Sequence, residues 1–160
     1  MPEVPTWGEF SRERPELARA GRALTYQFGV GLAFLATVRV DGGPRVHPMC
    51  PLITDDGLFA LLVPSPKRDD LRRDGRYAMH SFPADDNEDA FYLTGAAWVV
   101  EDRGVERDLR AQFLAERSME ASPAGFADHE PFEFGIERCL HTVTTGHGDP
   151  SPRHEVWRAP

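Results

Sequence analysis

Residues 33–64 read AFLATVRVDGGPRVHPMCPLITDDGLFALLVP, and this stretch decides the fold. Three runs rich in β-branched, aromatic and aliphatic residues, 33–40, 45–54 and 58–64, are separated by Asp41-Gly42-Gly43-Pro44 and Asp55-Asp56-Gly57. Asp-Gly pairs form the tight turns that fold a strand back on its neighbour, so the pattern predicts an antiparallel β-meander. Pro48 and Pro51 lack the N–H a ladder needs, which marks the second run as an edge or bulged strand with main-chain groups free for a ligand.

Upstream, EFSRERPELARAGRALTYQF (9–28) repeats Leu17, Ala20, Leu24 and Phe28 at three- and four-residue spacing. With Ser11 able to cap and Gly29 and Gly31 to stop it, it predicts one helix. Downstream come a short helix over 66–74 ended by Gly75, a fourth strand over 76–82 and an acidic loop over 83–89. A long fifth strand over 90–102 leads to a helix over 104–120 that carries Val105, Leu109 and Phe113 on one face. After a loop over 121–131 follow a sixth strand over 132–146 and a short final strand over 154–159. Six or so strands joined mostly by tight turns, with three helices, predict a mainly β chain: a closed or nearly closed antiparallel barrel. At 160 residues we expect one domain over 1–160, with 1–31 as a helical segment packed on the barrel.

The net charge of −8 argues against a duplex-binding protein, whose footprint is basic, and leaves room for a small local basic pocket. A single-strand-binding barrel is disfavoured too, because aromatics are not interleaved with surface bases. There is no run of about 18 apolar residues to span a membrane, and MPEVPTWGEFSRERPELA lacks the plan of a signal peptide. Cys50 and Cys139 stand apart from any CxxC pattern, as two reduced thiols of a cytoplasmic protein would. His80, His129, His141 and His147 show no metal-ligand spacing, so no metal site is expected.

Seventeen of the eighteen basic residues are arginine, and the single lysine is Lys67, in PSPKRDDLRRDGR (64–76). Ser65 suits the N-cap of the short helix and Pro66 its first position. Lys67 and Arg68 then lie in the first turn, where cations cost about 0.3–1 kcal/mol each against the helix dipole. A phosphate among the first-turn N–H groups, the Ser65 hydroxyl and the two cations would reverse that cost. The same run also reads as a solvated helix with charge pairs such as Asp69–Arg73. Arg45 and His47, two apart on one strand face, could line a site for a flat ligand with a phosphate tail.

The run FLATVRVDGGPRVHPMCPL, then DGLFALLVPSPKRDDLRRDGRYAMHS, then FYLTGAAWVVED resembles the flavin-binding split-barrel family of pyridoxamine 5′-phosphate oxidase-like proteins, particularly its actinobacterial members. The similarity runs from about residue 7 to 159. It implies a six-stranded antiparallel split barrel of Greek-key type and a homodimer with two flavin sites at its interface. By this resemblance Arg45, Val46 and His47 would lie along the isoalloxazine ring and Val63 would continue that wall. Ser65, Lys67 and Arg68 would hold the phosphate. Trp157 would stack on a ring across the interface or, alternatively, anchor the last strand. The tail PRHEVWRAP, with Arg153 and His154 adjacent, departs from the true oxidases, so a B6 vitamer is not the expected substrate.

The expected function is a flavin-dependent oxidoreductase using FMN or the deazaflavin coenzyme F-420, acting on a small molecule. For the acidic tail of a deazaflavin, Arg72, Arg73 and Arg76 are available. The ring carries the chemistry, and His47 is the one polar candidate for proton delivery. The alternatives are a flavin-binding sensor or store without turnover, and a haem-binding relative in which a histidine ligates iron.

Overall fold

A computed structural model describes residues 3–160. The chain enters through two helices, α1 (Trp7–Glu13) and α2 (Pro15–Thr25), where the sequence predicts one. The break falls at Arg14, because Pro15 cannot continue a helix and instead starts one. Thr6, not Ser11, caps α1 in a reciprocal box with Glu9: the Glu9 N–H donates to Thr6 Oγ1 (3.3 Å) and the Thr6 N–H to Glu9 Oε2 (2.8 Å).

Nine strand segments follow among the described residues, two more than the seven runs read from the sequence: β1 (Ala33–Val38), β2 (Pro44–Met49), β3 (Leu52–Ile53), β4 (Leu58–Leu62), β5 (Arg76–Ser81), β6 (Ala90–Val99), β7 (Glu130–Phe134), β8 (Arg138–Val143) and β9 (Arg153–Arg158). Helix α3 (Pro66–Arg73) links β4 to β5, and α4 (Arg103–Glu116) with a 3₁₀ turn (Phe126–Asp128) lies between β6 and β7. The surplus comes from two predicted strands that each break in two. Residues 45–54 divide at Cys50-Pro51 into β2, which pairs with β1, and β3, which pairs with β4. Residues 132–146 divide at Gly135–Glu137 into β7 and β8, which pair with opposite halves of β6.

All pairings are antiparallel, in the order β2-β1-β5-β6-β7-β4-β3, with β8 and β9 added along the first half of β6. The result is a mainly β, curled split barrel with peripheral helices, and β6 is the strand common to both halves. The crossing from β7 to β8 runs so close over Gly95 of β6 that a Cβ there would lie 1.9 Å from the Gly135 carbonyl oxygen.

Strand alternation separates two faces. The inner face of β1, β5 and β6 (Leu35, Tyr77, Met79, Phe91, Leu93) is buried. Helix α1 packs on this side, with the Phe10 ring 4.9 Å from Trp157 and 5.5 Å from Trp7. On the outer face Phe34 and Ala36 of β1, Val46 of β2, Ala78 of β5, Leu140 of β8 and Val156 of β9 form an apolar surface left part-exposed. Val46 is 60% and Val156 43% exposed. Among the described residues no helix is long and apolar enough to cross a membrane.

Candidate functional site: the first turn of helix α3

The buried strand β4 surfaces at Val63, which is 40% exposed, and the chain turns into α3 through Ser65 in an extended conformation. The Ser65 hydroxyl does not cap the helix; it donates to the Val63 carbonyl (2.8 Å). The Ser65 carbonyl accepts the N–H groups of Arg68 and Asp69 at 3.1 Å each. Pro66 has no N–H, so the Lys67 N–H is the first-turn donor left without a backbone partner among the described residues.

The arginines around α3 all bind the protein itself. Arg68 Nη1 donates to the Asp128 carbonyl (2.7 Å), and Arg72 Nε to Glu130 Oε2 (2.7 Å). Arg73 donates to the Val38 carbonyl and approaches Asp70 Oδ1, and Arg76 pairs with Asp74 (2.7 Å). Lys67 makes no hydrogen bond or ion pair among the described residues, although it is half-buried. Burial pushes its ammonium pKa down, and the nearby Cys50 is the one group that opposes this. Cys50 sits where β2 gives way to β3, so Lys67 faces the break in the barrel wall.

Behind Lys67 lies a buried polar knot. Asp70, 3% exposed, accepts from Arg45 Nε (2.7 Å) and Thr37 Oγ1 (2.8 Å). Burial alone would raise its pKa, but the hydrogen bonds from Arg45 and Thr37, with the Arg45 charge, outweigh it and hold the carboxyl below its usual range. Arg45 therefore reaches α3, as expected, but to bind Asp70. It does so from a strand that is not the neighbour of β4: β2 pairs with β1, and β4 lies between the short β3 and β7.

The register of β2 places Arg45 and His47 on the inner side, with Val46 on the opposite, outer side. Side chains of all three cannot line one surface. His47 is exposed at the edge, with no ring hydrogen bond among the described residues. Trp157 is 4% exposed, packed on Phe10, and its indole N–H donates to Glu13 Oε1 (2.9 Å). The structure thus brings Val63, Ser65 and Lys67 together, turns the Arg68 guanidinium toward the 3₁₀ turn, and holds Trp157 inside. Sequence reasoning missed Asp70, Thr37 and Cys50. Asp70 in KRDDLRR reads as surface charge, and only the register shows Thr37 beneath it. Among the described residues no cluster of three or more His, Cys, Asp or Glu side chains could hold a metal ion.

No family model and no curated protein matches the sequence. Solved structures do match. A heme binding protein from Mycobacterium smegmatis aligns over 91% of this chain and 59% of its own, at 18% identity and a TM-score of 0.62. A protein assigned provisionally as a pyridoxamine 5′-phosphate oxidase, from Listeria innocua, aligns over 75% of this chain and 93% of its own, at 15% identity and a TM-score of 0.60. An F420 reductase aligns over 68% and 87%, at 21% identity and a TM-score of 0.55. At such identities the likeness shows the fold alone: this chain has the pyridoxamine 5′-phosphate oxidase-like split-barrel fold.

Proposed function

We propose that the chain binds a phosphorylated flavin-type coenzyme at the start of α3, as a homodimer, and acts as a flavin-dependent oxidoreductase on a small molecule that is not a B6 vitamer. The observation that carries this reading is Lys67: a half-buried ammonium with no anionic partner, in a helix whose arginines are all engaged. Such a cation is stabilised by a bound anion, and the free Lys67 N–H at the positive end of the helix dipole adds a second donor. A phosphate suits both.

The bound flavin would supply reversible uptake of a hydride or of electrons. The chain's own residues do the rest. Lys67 anchors the phosphate, and exposed Val63 and Val46 offer apolar contact to a ring system, Val46 from the outer face that a second copy would cover. His47, exposed on the β2 edge on the face opposite Val46, is the polar candidate for proton delivery. FMN fits better than the deazaflavin coenzyme, whose long acidic tail wants further cations, because Arg72, Arg73 and Arg76 are already paired with carboxylates.

A haem-binding reading is favoured by one observation, the alignment of a heme binding protein over 91% of the chain. In that case His47 would be the iron ligand. Flavin binding without turnover, as a sensor or store, would share the site but show no reduction by nicotinamide or deazaflavin donors.

Titration with FMN and with the deazaflavin coenzyme, followed by flavin fluorescence, tests the reading. We expect tight binding of one of them, weakened in Lys67→Ala by on the order of 1.5–3 kcal/mol, as for a charge-assisted contact. Binding of neither would overturn it. A Soret band on adding haem, lost in His47→Ala, would then establish the haem alternative.

A further inference from the structure

We infer that Asp70 is the positioning residue of the anion site, holding Lys67 in place through Thr37 and Arg45; the inference rests on the reading that Lys67 meets the phosphate of the ligand. Helix α3 has eight residues, too few to fix its own pose in water, so its orientation is set by what anchors it. Two of its residues are buried: Leu71, 2% exposed, and Asp70, 3% exposed. The Asp70 carboxylate, one helical turn beyond Lys67, is tied to both strands at that edge of the barrel by Thr37 Oγ1 of β1 (2.8 Å) and Arg45 Nε of β2 (2.7 Å). Its other oxygen faces Arg73 of its own helix at 3.4 Å. Arg68 and Arg72 fasten the opposite side of α3 to the 3₁₀ turn and to β7. The knot at Asp70, together with Arg73, which also donates to the Val38 carbonyl of β1, therefore registers α3 against β1 and β2, and Asp70 alone reaches both strands.

The geometry assigns Arg45 a different part from the one the family resemblance implies. Its Nε is committed to a buried carboxylate, so it acts on the ligand through the placement of α3. The sign of the effect separates positioning from charge. Removing a carboxylate beside an anion site strengthens anion binding if charge alone matters, since one negative group is lost. Loosening the helix that presents Lys67 weakens it.

The test compares FMN with riboflavin, which lacks the phosphate, in wild type, Asp70→Asn, Thr37→Val and Lys67→Ala, all held well below their melting temperatures. We expect Asp70→Asn and Thr37→Val to lower FMN affinity about tenfold while leaving riboflavin affinity unchanged. In a Lys67→Ala background Asp70→Asn should then have no further effect on FMN. A folded variant whose FMN-to-riboflavin ratio is unchanged, or whose FMN affinity rises, overturns the inference while leaving the coenzyme reading standing. Failure of the wild type to bind FMN overturns both. If Asp70→Asn does not fold, Thr37→Val, which removes one hydrogen bond at constant volume, decides the matter.

Discussion

Neighbouring residues on a helix diverge by roughly 100°, and this separates Lys67 from Arg68. The sequence marks both as one cationic pair; the fold sends the guanidinium to the Asp128 carbonyl and leaves the ammonium free. What could be read in advance was the oddity of a single lysine among arginines. What could not was the partner of each cation, since that depends on β7 and the 3₁₀ turn about 60 residues further along the chain. The lowered pKa of Lys67 gives a pH prediction. Below its folded pKa the charged ammonium opposes folding, and this cost is relieved as pH rises through that value toward the ordinary 10.5. Phosphate binding has the reverse dependence, because it needs the proton: FMN affinity should fall as pH rises through the lowered pKa, before an ordinary lysine titrates. Lys67→Arg, if it still binds, should flatten that profile. Asp70 titrates with the opposite sign. Its depressed pKa stabilises the fold fully above the unfolded value of 3.8, and the benefit is lost as pH falls through the folded pKa. Denaturant melts should therefore show Asp70→Asn less stable than wild type near neutrality, with the gap closing in acid.

Among the elements, the turns were the legible part and the breaks were not. Asp41-Gly42-Gly43 turns β1 into β2 as its composition predicts: Gly42 takes φ +81°, and the Asp41 carboxylate accepts the Gly43 N–H at 3.0 Å. Pro48 and Pro51 correctly mark β2 as an edge strand, but the switch of partner from β1 to β4 at Cys50-Pro51 is a tertiary event that no local pattern reports. The split of the N-terminal helix was within reach of the sequence. Pro15 marks it and the Thr6-x-x-Glu9 box marks the start of α1, yet the apolar spacing of Leu17, Ala20, Leu24 and Phe28 reads as one helix over 9–28 that runs through Pro15. Thr6→Ala should cost about 1 kcal/mol in chemical denaturation through loss of the cap. Gly95→Ala should cost more, on the order of 3 kcal/mol, since the Gly135 backbone cannot retreat from a new Cβ without parting β7 or β8 from β6. A melting temperature equal to wild type in Gly95→Ala would contradict the close crossing.

At the scale of the whole molecule, the uncovered outer face is the feature that asks for a second chain. Phe34, Ala36 and Ala78 alternate with buried residues along β1 and β5, and Val46, Leu140 and Val156 extend their face, as if both sides of the sheet were meant to lie in protein. A homodimer closing over this face would explain the pattern. The double substitution Ala36→Asp, Val46→Asp should give a folded monomer by sedimentation that no longer binds the coenzyme; a dimer unaffected by it would place the interface elsewhere. The barrel could be foreseen from alternation and Asp-Gly turns, whereas the nine-segment sheet with β6 common to both halves could not, because the breaks at Cys50-Pro51 and Gly135–Glu137 are set by pairing with strands distant in sequence.

The solitary lysine also makes this protein its own reporter. Apart from the chain's amino terminus, Lys67 offers the only aliphatic amine to an acylating or reductively alkylating reagent. Its depressed pKa gives it a larger unprotonated, nucleophilic fraction at neutral pH than an ordinary lysine has. A single isotope-labelled methyl pair placed there would give one spectral signal, whose shift follows occupancy of the candidate site directly, with no other side chain to confuse it.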